Sequence, residues 1–89
     1  MRLTPTKMNT FIVWSKDNCP YCVKIEAIFK TLDLKYVVYK IGRDFNKVEF
    51  YEKFGPGSTF PKVETGTEII GGCSDTIQWL KDNSYLPGH

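Results

Sequence analysis

The stretch Cys19–Cys22 (CPYC) constrains this chain more than any other, because it connects a strand-like run to a helical pattern. Thr10–Trp14 (TFIVW) is short, β-branched and aromatic, which predicts a buried strand. The pattern after it predicts a helix over Pro20–Leu32, so the two cysteines lie at the start of that helix. Its apolar face is set by helical spacing: Ile25, Ile28, Phe29 and Leu32, widened by Val23 and Ala27.

The middle of the chain predicts a second strand and a second helix. Lys35–Ile41 (KYVVYKI) is strand-like and completes a βαβ unit, whose crossover is expected to be right-handed with parallel strands. Asp44–Phe54 is predicted to be helical, and Gly55–Gly57 (GPG) would end it. The residues predicted to point inward from this second helix are Phe45, Val48, Tyr51 and Phe54.

The C-terminal part predicts a hairpin and a last helix. Pro61–Glu64 and Glu68–Ile70 flank a short turn, as in a β-hairpin. Ser74–Asn83 is predicted to be a helix with Ser74 as its N-cap. The fold class is therefore α/β, a four-stranded mixed sheet flanked by helices. A CxxC motif beside a βαβ pattern is the signal of a thioredoxin-like redox fold.

Length and composition favour one ordinary globular domain over residues 1–89, with a loose N-terminal tail at 1–9 and a C-terminal tail at 84–89. A net charge of +2 and dispersed lysines do not indicate binding to nucleic acid. No apolar run reaches the roughly 18 residues that a membrane span needs. The first residues lack the apolar core of a secretory signal, so we expect a cytoplasmic protein.

The cysteines fit redox chemistry better than a metal site or a structural bridge. Three thiols are an odd number, and a structural zinc site needs four ligands. Beyond the pair, the chain offers only Cys73 and the terminal His89. Cys19 is predicted at the helix N-cap, where unpaired N–H groups and the helix dipole favour a thiolate. Lys16 adds a nearby positive charge, and Cys22 lies one turn further on.

Three motifs together resemble those of a dithiol glutaredoxin: CPYC at 19–22, TFPKV at 59–63 and GGCSD at 71–75. The resemblance covers about Thr10–Asn83. It implies a glutathione-dependent thiol–disulfide oxidoreductase in which Cys19 is the nucleophile and Cys22 the resolving thiol, the two forming a redox-active disulfide. It also implies glutathione as a co-substrate, no tightly bound cofactor or metal, and a monomer. Its partners would be disulfide-containing or glutathionylated proteins, with ribonucleotide reductase as a candidate.

The resemblance also implies which residues bind glutathione. Pro61 would be a cis proline facing the dithiol, and the preceding residue, Phe60 where the family more commonly has valine, would give a bulkier groove rim. The N–H groups of Cys73 and Ser74 would hold the γ-glutamyl carboxylate, and Asp75 would pair with the γ-glutamyl ammonium. The full predicted set is Lys16, Tyr21, Thr59, Phe60, Pro61, Gly72, Cys73, Ser74 and Asp75.

One family contact has no clear counterpart, and other functions stay open. The glutamine or arginine that binds the glycyl carboxylate from the second helix aligns near Val48, with Lys47 beside it and Arg43 one turn earlier. Cys73 is interpreted as a non-catalytic thiol. The alternatives are a thioredoxin-like reductant served by a flavoprotein reductase, a carrier of a glutathione-ligated [2Fe–2S] cluster, and a zinc or structural module without turnover.

Overall fold

The computed structural model describes residues 10–86. Its elements follow in the order β1, α1, β2, α2, β3, β4, α3, with these bounds: β1 Phe11–Ser15, α1 Pro20–Thr31, β2 Tyr36–Lys40, α2 Lys47–Phe54, β3 Lys62–Glu64, β4 Ile69–Gly71 and α3 Cys73–Asp82. Residues 1–9 and 87–89, including His89, lie outside the described residues. Within 10–86, no helix combines the length and hydropathy that a membrane span requires.

The four strands form one mixed sheet in the order β2-β1-β3-β4. β1 pairs with β2 in parallel and with β3 in antiparallel fashion, and β3 and β4 form an antiparallel hairpin. The predicted βαβ unit and hairpin are both confirmed. Because α1 follows β1 directly, the loop after β1 brings the two cysteines to the end of a central strand.

The main core lies between β1, α1 and α3. Phe11 and Val13 alternate inward along β1, and the Phe11 ring stacks on Phe29 of α1 with the ring centroids 4.7 Å apart. Ile25 and Phe29 are fully buried, as the helical spacing predicts. Val23 does not widen this face, because its position points away from the sheet and leaves the side chain 66% exposed. Ala27 is exposed as well.

The second helix begins later than predicted. Asn46 caps α2: its side chain accepts from the N–H of Glu49 at 2.9 Å, and Glu49 accepts from the N–H of Asn46 at 2.8 Å. Because this capping box starts the helix at Lys47, the helical phase differs from that expected of a helix beginning at Asp44. Phe50 is the fully buried residue of α2, whereas Val48 is 63% exposed and Tyr51 is also exposed. The predicted inward positions of Val48 and Tyr51 were therefore wrong.

A second aromatic cluster joins the sheet to α2. Its rings are Trp14, Phe45, Phe50, Phe54 and Phe60, each with a neighbouring ring within the cluster. Trp14 Nε1 also donates to the mostly buried Glu64 at 2.6 Å, and Lys53 Nζ lies 3.3 Å from the same carboxylate. These contacts hold α2 against β1 and β3.

The last helix begins two residues earlier than the predicted N-cap would allow. Gly72 is the N-cap of α3 and Cys73 is its first residue, so the assignment of Ser74 as N-cap was wrong. The side chain that caps this end is that of Asp75, whose Oδ2 accepts from the Gly72 N–H at 3.2 Å. A carboxylate reaching back from the third helical residue satisfies that amide and moves the start of the helix toward Gly72. After α3, Tyr85 stacks on Trp79 with ring centroids 5.7 Å apart.

Candidate active site

The dithiol lies at the N-terminus of α1, as the sequence predicts. Cys19 is the N-cap and has an extended backbone, and Pro20 is the first helical residue. The two cysteines form a disulfide with their Cα atoms 5.2 Å apart. The N–H of Cys22 donates to Cys19 Sγ at 3.2 Å. Cys19 therefore holds the position at which first-turn amides stabilise a negative sulfur.

Both cysteines are largely covered in this oxidised form. Cys19 keeps 5% of its surface exposed and Cys22 keeps 1%. Cys19 is nevertheless the more accessible of the two. An attacking thiolate has better access to Cys19 for this reason.

The loop before the dithiol is held by an ion pair that the sequence analysis did not predict. Asp17 accepts from Lys40 Nζ at 2.9 Å, which joins the loop to the end of β2. The hydrogen bond and charge of Lys40 lower the pKa of Asp17. Asn18 then adopts φ 56°, a left-handed conformation that asparagine tolerates better than most residues. No local sequence signal links two residues 23 positions apart.

A first groove, here called the dithiol groove, opens beside the two cysteines. It encloses about 540 Å³. Lys16 of the predicted glutathione set lies here, together with Asp17 and Lys40. The complete lining is Ser15, Lys16, Asp17, Asn18, Cys19, Pro20, Cys22, Val23, Glu26 and Lys40.

A second groove, here called the cis-proline groove, brings together the other eight predicted binding residues. It encloses about 260 Å³. Three separate segments contribute to it, namely the residue between the cysteines, the turn before β3 and the start of α3. The lining is Tyr21, Thr59, Phe60, Pro61, Gly72, Cys73, Ser74 and Asp75. Tyr21 is 62% exposed, which fits a groove wall rather than a core residue.

The turn before β3 contains the cis peptide bond that the resemblance implies, between Phe60 and Pro61. Pro61 is buried, and its carbonyl oxygen would lie 3.6 Å from a Cβ added to Gly72. The Phe60 ring is not a freely exposed rim of the groove. It is half-buried and stacks on the ring of Phe50, with the ring centroids 4.2 Å apart. The larger residue at this position thus joins the second aromatic cluster while still lining the groove.

The start of α3 forms the other wall and depends on Gly71. This glycine has φ 130°, and a Cβ added to it would lie 2.5 Å from Asp75 Oδ2. A side chain at position 71 would therefore displace the carboxylate that caps the helix. Ser74 and Asp75 are exposed at this end, so their polar atoms are accessible to a ligand.

The second helix places none of its residues in either groove. Val48 and Lys47 are exposed, and neither lines the grooves. Arg43 is already engaged, because its guanidinium pairs with Asp44 at 2.7 Å and donates to the Val38 carbonyl. That pairing raises the pKa of Arg43 and lowers that of Asp44. The structure thus provides no direct equivalent of the family's helix-two contact among these residues.

Cys73 lines the cis-proline groove but is a buried, unpaired thiol. Burial raises its pKa above the ordinary value of 9.0, although the positive charge of Lys24 acts in the opposite direction. The neutral thiol therefore dominates at neutral pH, which supports the interpretation of Cys73 as non-catalytic. Within residues 10–86, no three side chains of His, Cys, Asp or Glu cluster in a way that could hold a metal ion.

Comparison with known proteins identifies the family. The glutaredoxin family model matches residues 11–70, which include the dithiol, the cis proline and most of the sheet. This chain belongs to the glutaredoxin family. Its CxxC pair, joined as a disulfide, makes it a dithiol member, and dithiol members are thiol–disulfide oxidoreductases.

Curated relatives and a solved structure agree with this assignment. Glutaredoxin 1 of Rickettsia prowazekii is 32% identical over 84% of this chain and 81% of its own length. Glutaredoxin-1 of Oryctolagus cuniculus is 33% identical over 96% of this chain and 83% of its own. This glutaredoxin spans only about half of two organellar relatives, 51% and 44% of their lengths.

The fold agrees as well. The crystal structure of the buckwheat glutaredoxin–glutathione complex has a TM-score of 0.72 to this glutaredoxin at 26% identity, and the match covers 91% of this chain and 76% of the buckwheat chain. The thioredoxin-like fold predicted from the sequence is thereby confirmed.

Proposed function

We propose that this glutaredoxin is a glutathione-dependent enzyme that reduces protein disulfides and protein–glutathione mixed disulfides. The main supporting observation is the position of the cis-proline groove. Tyr21, between the two cysteines, forms one wall of it, and eight of the nine predicted glutathione-binding residues line it. The solved buckwheat relative contains glutathione, which is consistent with such a ligand here.

The chemistry of the groove fits the two charged groups of a γ-glutamyl residue. The first-turn N–H groups of α3, at Cys73 and Ser74, have no partner within the helix and suit a carboxylate. Asp75 lies beside them and supplies the opposite charge for the γ-glutamyl ammonium. The backbone of Thr59 and Phe60, before Pro61, would then bind the cysteinyl part.

The dithiol route uses both cysteines. The Cys19 thiolate attacks one sulfur of a protein disulfide, forming a mixed disulfide and releasing the other protein sulfur as a thiolate. Cys22 then attacks Cys19 Sγ, which closes the Cys19–Cys22 disulfide and releases the second protein thiol. One glutathione thiolate reopens the bridge at Cys19, and a second removes the bound glutathione as glutathione disulfide. The protein disulfide gains two electrons, and two glutathione molecules supply them.

The monothiol route uses Cys19 alone. Cys19 attacks the glutathione sulfur of a glutathionylated protein, so the protein thiol leaves and Cys19 carries the glutathione. A second glutathione then regenerates the Cys19 thiolate and leaves as glutathione disulfide. The glutathione on Cys19 would lie in the cis-proline groove during this step.

The co-substrate also bears on the cellular compartment and the partners of this reaction. Glutathione acts as a co-substrate rather than as a tightly bound cofactor. Glutaredoxin potentials of about −200 to −230 mV lie near the glutathione poise of the cytosol, so we place the protein there. Ribonucleotide reductase stays a candidate acceptor on the strength of the family resemblance, and we expect a monomer.

A coupled assay tests the proposal directly. Reduction of hydroxyethyl disulfide is measured with glutathione, glutathione reductase and NADPH, and in parallel with thioredoxin reductase and NADPH. We expect turnover only in the glutathione system. Turnover with thioredoxin reductase alone would support the thioredoxin-like alternative, and a brown, dimeric preparation would support the iron–sulfur carrier.

A further inference from the structure

A lysine and a phenylalanine make contact across the two grooves. Lys16, which lines the dithiol groove, places Nζ over the ring of Phe60, which lines the cis-proline groove, at 5.9 Å from the ring centroid. This distance is within the range of a cation–π interaction. Among residues 10–86, Lys16 forms no ion pair. Its positive charge is therefore not neutralised by the protein and is available to a ligand.

The Phe60 ring is itself held in place. Phe50 covers one of its faces in a stacked arrangement, with centroids 4.2 Å apart and an interplanar angle of 16°. Phe50 is fully buried and also stacks on Phe45, with the ring centroids 5.7 Å apart. Since one face of Phe60 is occupied, the ammonium of Lys16 lies over the other. A ring fixed in this way restricts where a flexible lysine places its charge.

A cation at this place has a clear task, because α2 places no cation in either groove. Val48, which aligns near the family's contact for the glycyl carboxylate, carries no charge, and Arg43 is paired with Asp44. Two lysines, Lys16 and Lys40, line the dithiol groove. Lys40 is paired with Asp17, whereas Lys16 has no acidic partner among residues 10–86.

We propose that the Phe60 side chain is a positioning residue that holds the Lys16 ammonium at the junction of the grooves, where it binds a carboxylate of glutathione. This inference rests on the proposed function. It is separate from the backbone contacts of Phe60, which any side chain at this position would preserve. A smaller aliphatic residue would keep those contacts but leave the lysine unrestrained.

The test is a double-mutant cycle on the full chain. Phe60→Leu, Lys16→Ala and the double variant are compared by their apparent Michaelis constants for glutathione. We expect Phe60→Leu to raise this constant about two- to five-fold, the range of an exposed cation–π interaction. In the Lys16→Ala background the same change should have no further effect. Phe60→Tyr retains a π face and should retain the coupling to Lys16.

Phe54→Leu is a matched control. Phe54 belongs to the same aromatic cluster and carries its own cation, Lys53 Nζ at 5.7 Å, but it lines neither groove. We expect it to leave the Michaelis constant for glutathione unchanged. An equal increase in Phe54→Leu and Phe60→Leu would mean that packing, not the held lysine, causes the effect, and would overturn the proposal.

A direct measurement of the contact separates this inference from the proposed function. In the oxidised protein, the ε-methylene protons of Lys16 should show an upfield NMR ring-current shift that disappears in Phe60→Leu and persists in Phe60→Tyr. Absence of that shift, or additive effects in the cycle, would overturn the positioning role. A wild-type protein that shows the shift but no glutathione-dependent turnover would refute the proposed function, and with it the role of the contact in binding glutathione.

Discussion

The backbone N–H of Cys22 donates a hydrogen bond to Sγ of Cys19 at 3.2 Å, so the amide of the second cysteine contacts the sulfur of the first. The relationship is not reciprocal, because Cys22 lies one turn inside α1 and is almost completely buried. The two sulfurs therefore differ in accessibility and in stabilisation by the helix N-terminus. This difference leads to the assignment of distinct roles.

Replacement of each cysteine should separate these roles. Cys19→Ser should abolish turnover of both protein disulfides and glutathionylated substrates, because the nucleophile is lost. Cys22→Ser should keep deglutathionylation, since glutathione can resolve the Cys19 adduct, but should lose most reduction of protein disulfides. Both activities are measured with the glutathione reductase coupled assay. Equal loss of deglutathionylation in the two variants would contradict the division of labour.

Asp75 is expected to act in both ligand binding and helix capping. Asp75→Ala should raise the apparent Michaelis constant for glutathione about two- to ten-fold, with a smaller effect on turnover, because the proposed ion pair with the γ-glutamyl ammonium would form both before and during reaction. It should also lower the free energy of unfolding by about 0.5–1.5 kcal/mol through the lost hydrogen bond to Gly72.

Asp75→Asn is the control that distinguishes the two effects. Asparagine keeps an oxygen acceptor for the Gly72 N–H but carries no charge. We expect near-normal stability together with a raised Michaelis constant. A normal Michaelis constant in this variant would leave Asp75 with only its capping role.

Gly71→Ala tests the close approach between β4 and the first turn of α3. The added methyl group meets Asp75 Oδ2, and the φ of 130° is unfavourable for alanine, so we expect a loss of about 1–3 kcal/mol in unfolding free energy. Gly66→Ala is the matched control, because Gly66 also has a positive φ, 98°, but no atom within 4 Å of the added Cβ. Thermal unfolding and the Michaelis constant for glutathione are measured for both. A comparable loss of unfolding free energy in the two variants would mean that backbone strain alone, and not the contact with Asp75, causes the destabilisation.

Alkylation of the reduced protein should distinguish Cys19 from Cys73. Cys19 should react with iodoacetamide rapidly near neutral pH, because the N-terminal amides of α1 favour its thiolate. Burial raises the pKa of Cys73 above 9.0, so its thiolate fraction, and hence its alkylation, should increase only in more alkaline solution. Mass spectrometry identifies the modified cysteine at each pH and so measures the alkylation of Cys19 and of Cys73 separately. Rapid labelling of Cys73 at pH 7 would show that its burial does not protect it.

The sequence by itself determined the local elements and their order with good accuracy. β-Branched and aromatic residues in Thr10–Trp14, helical spacing after Pro20 and turn residues between two short strands each reflect a constraint within a few residues of the chain. The CPYC motif likewise defined its own geometry, because a helix N-cap followed by proline depends only on adjacent residues. The resemblance of three motifs to one family then indicated the cis proline and the groove residues.

Capping was the local signal that was missed. Asn46 and Glu49 form a capping box whose residues lie in the sequence, yet the apolar spacing from Asp44 suggested an earlier start and a different inward face. Asp75 similarly moved the start of α3 to Gly72. In both cases a side chain reaching back to an amide marks where the helix begins.

Only the tertiary structure decided the long-range pairs. Asp17 meets Lys40, Glu64 meets Trp14 and Lys53, and Lys16 meets Phe60, in each case because strands and helices distant in the chain pack together. Such contacts depend on sheet order and helix placement, which no short stretch of sequence specifies. The substitution of phenylalanine before the cis proline shows the difference: its identity is visible in the sequence, but its stacking on Phe50 and its contact with Lys16 exist only once α2, β3 and the loop before Cys19 are brought together by folding.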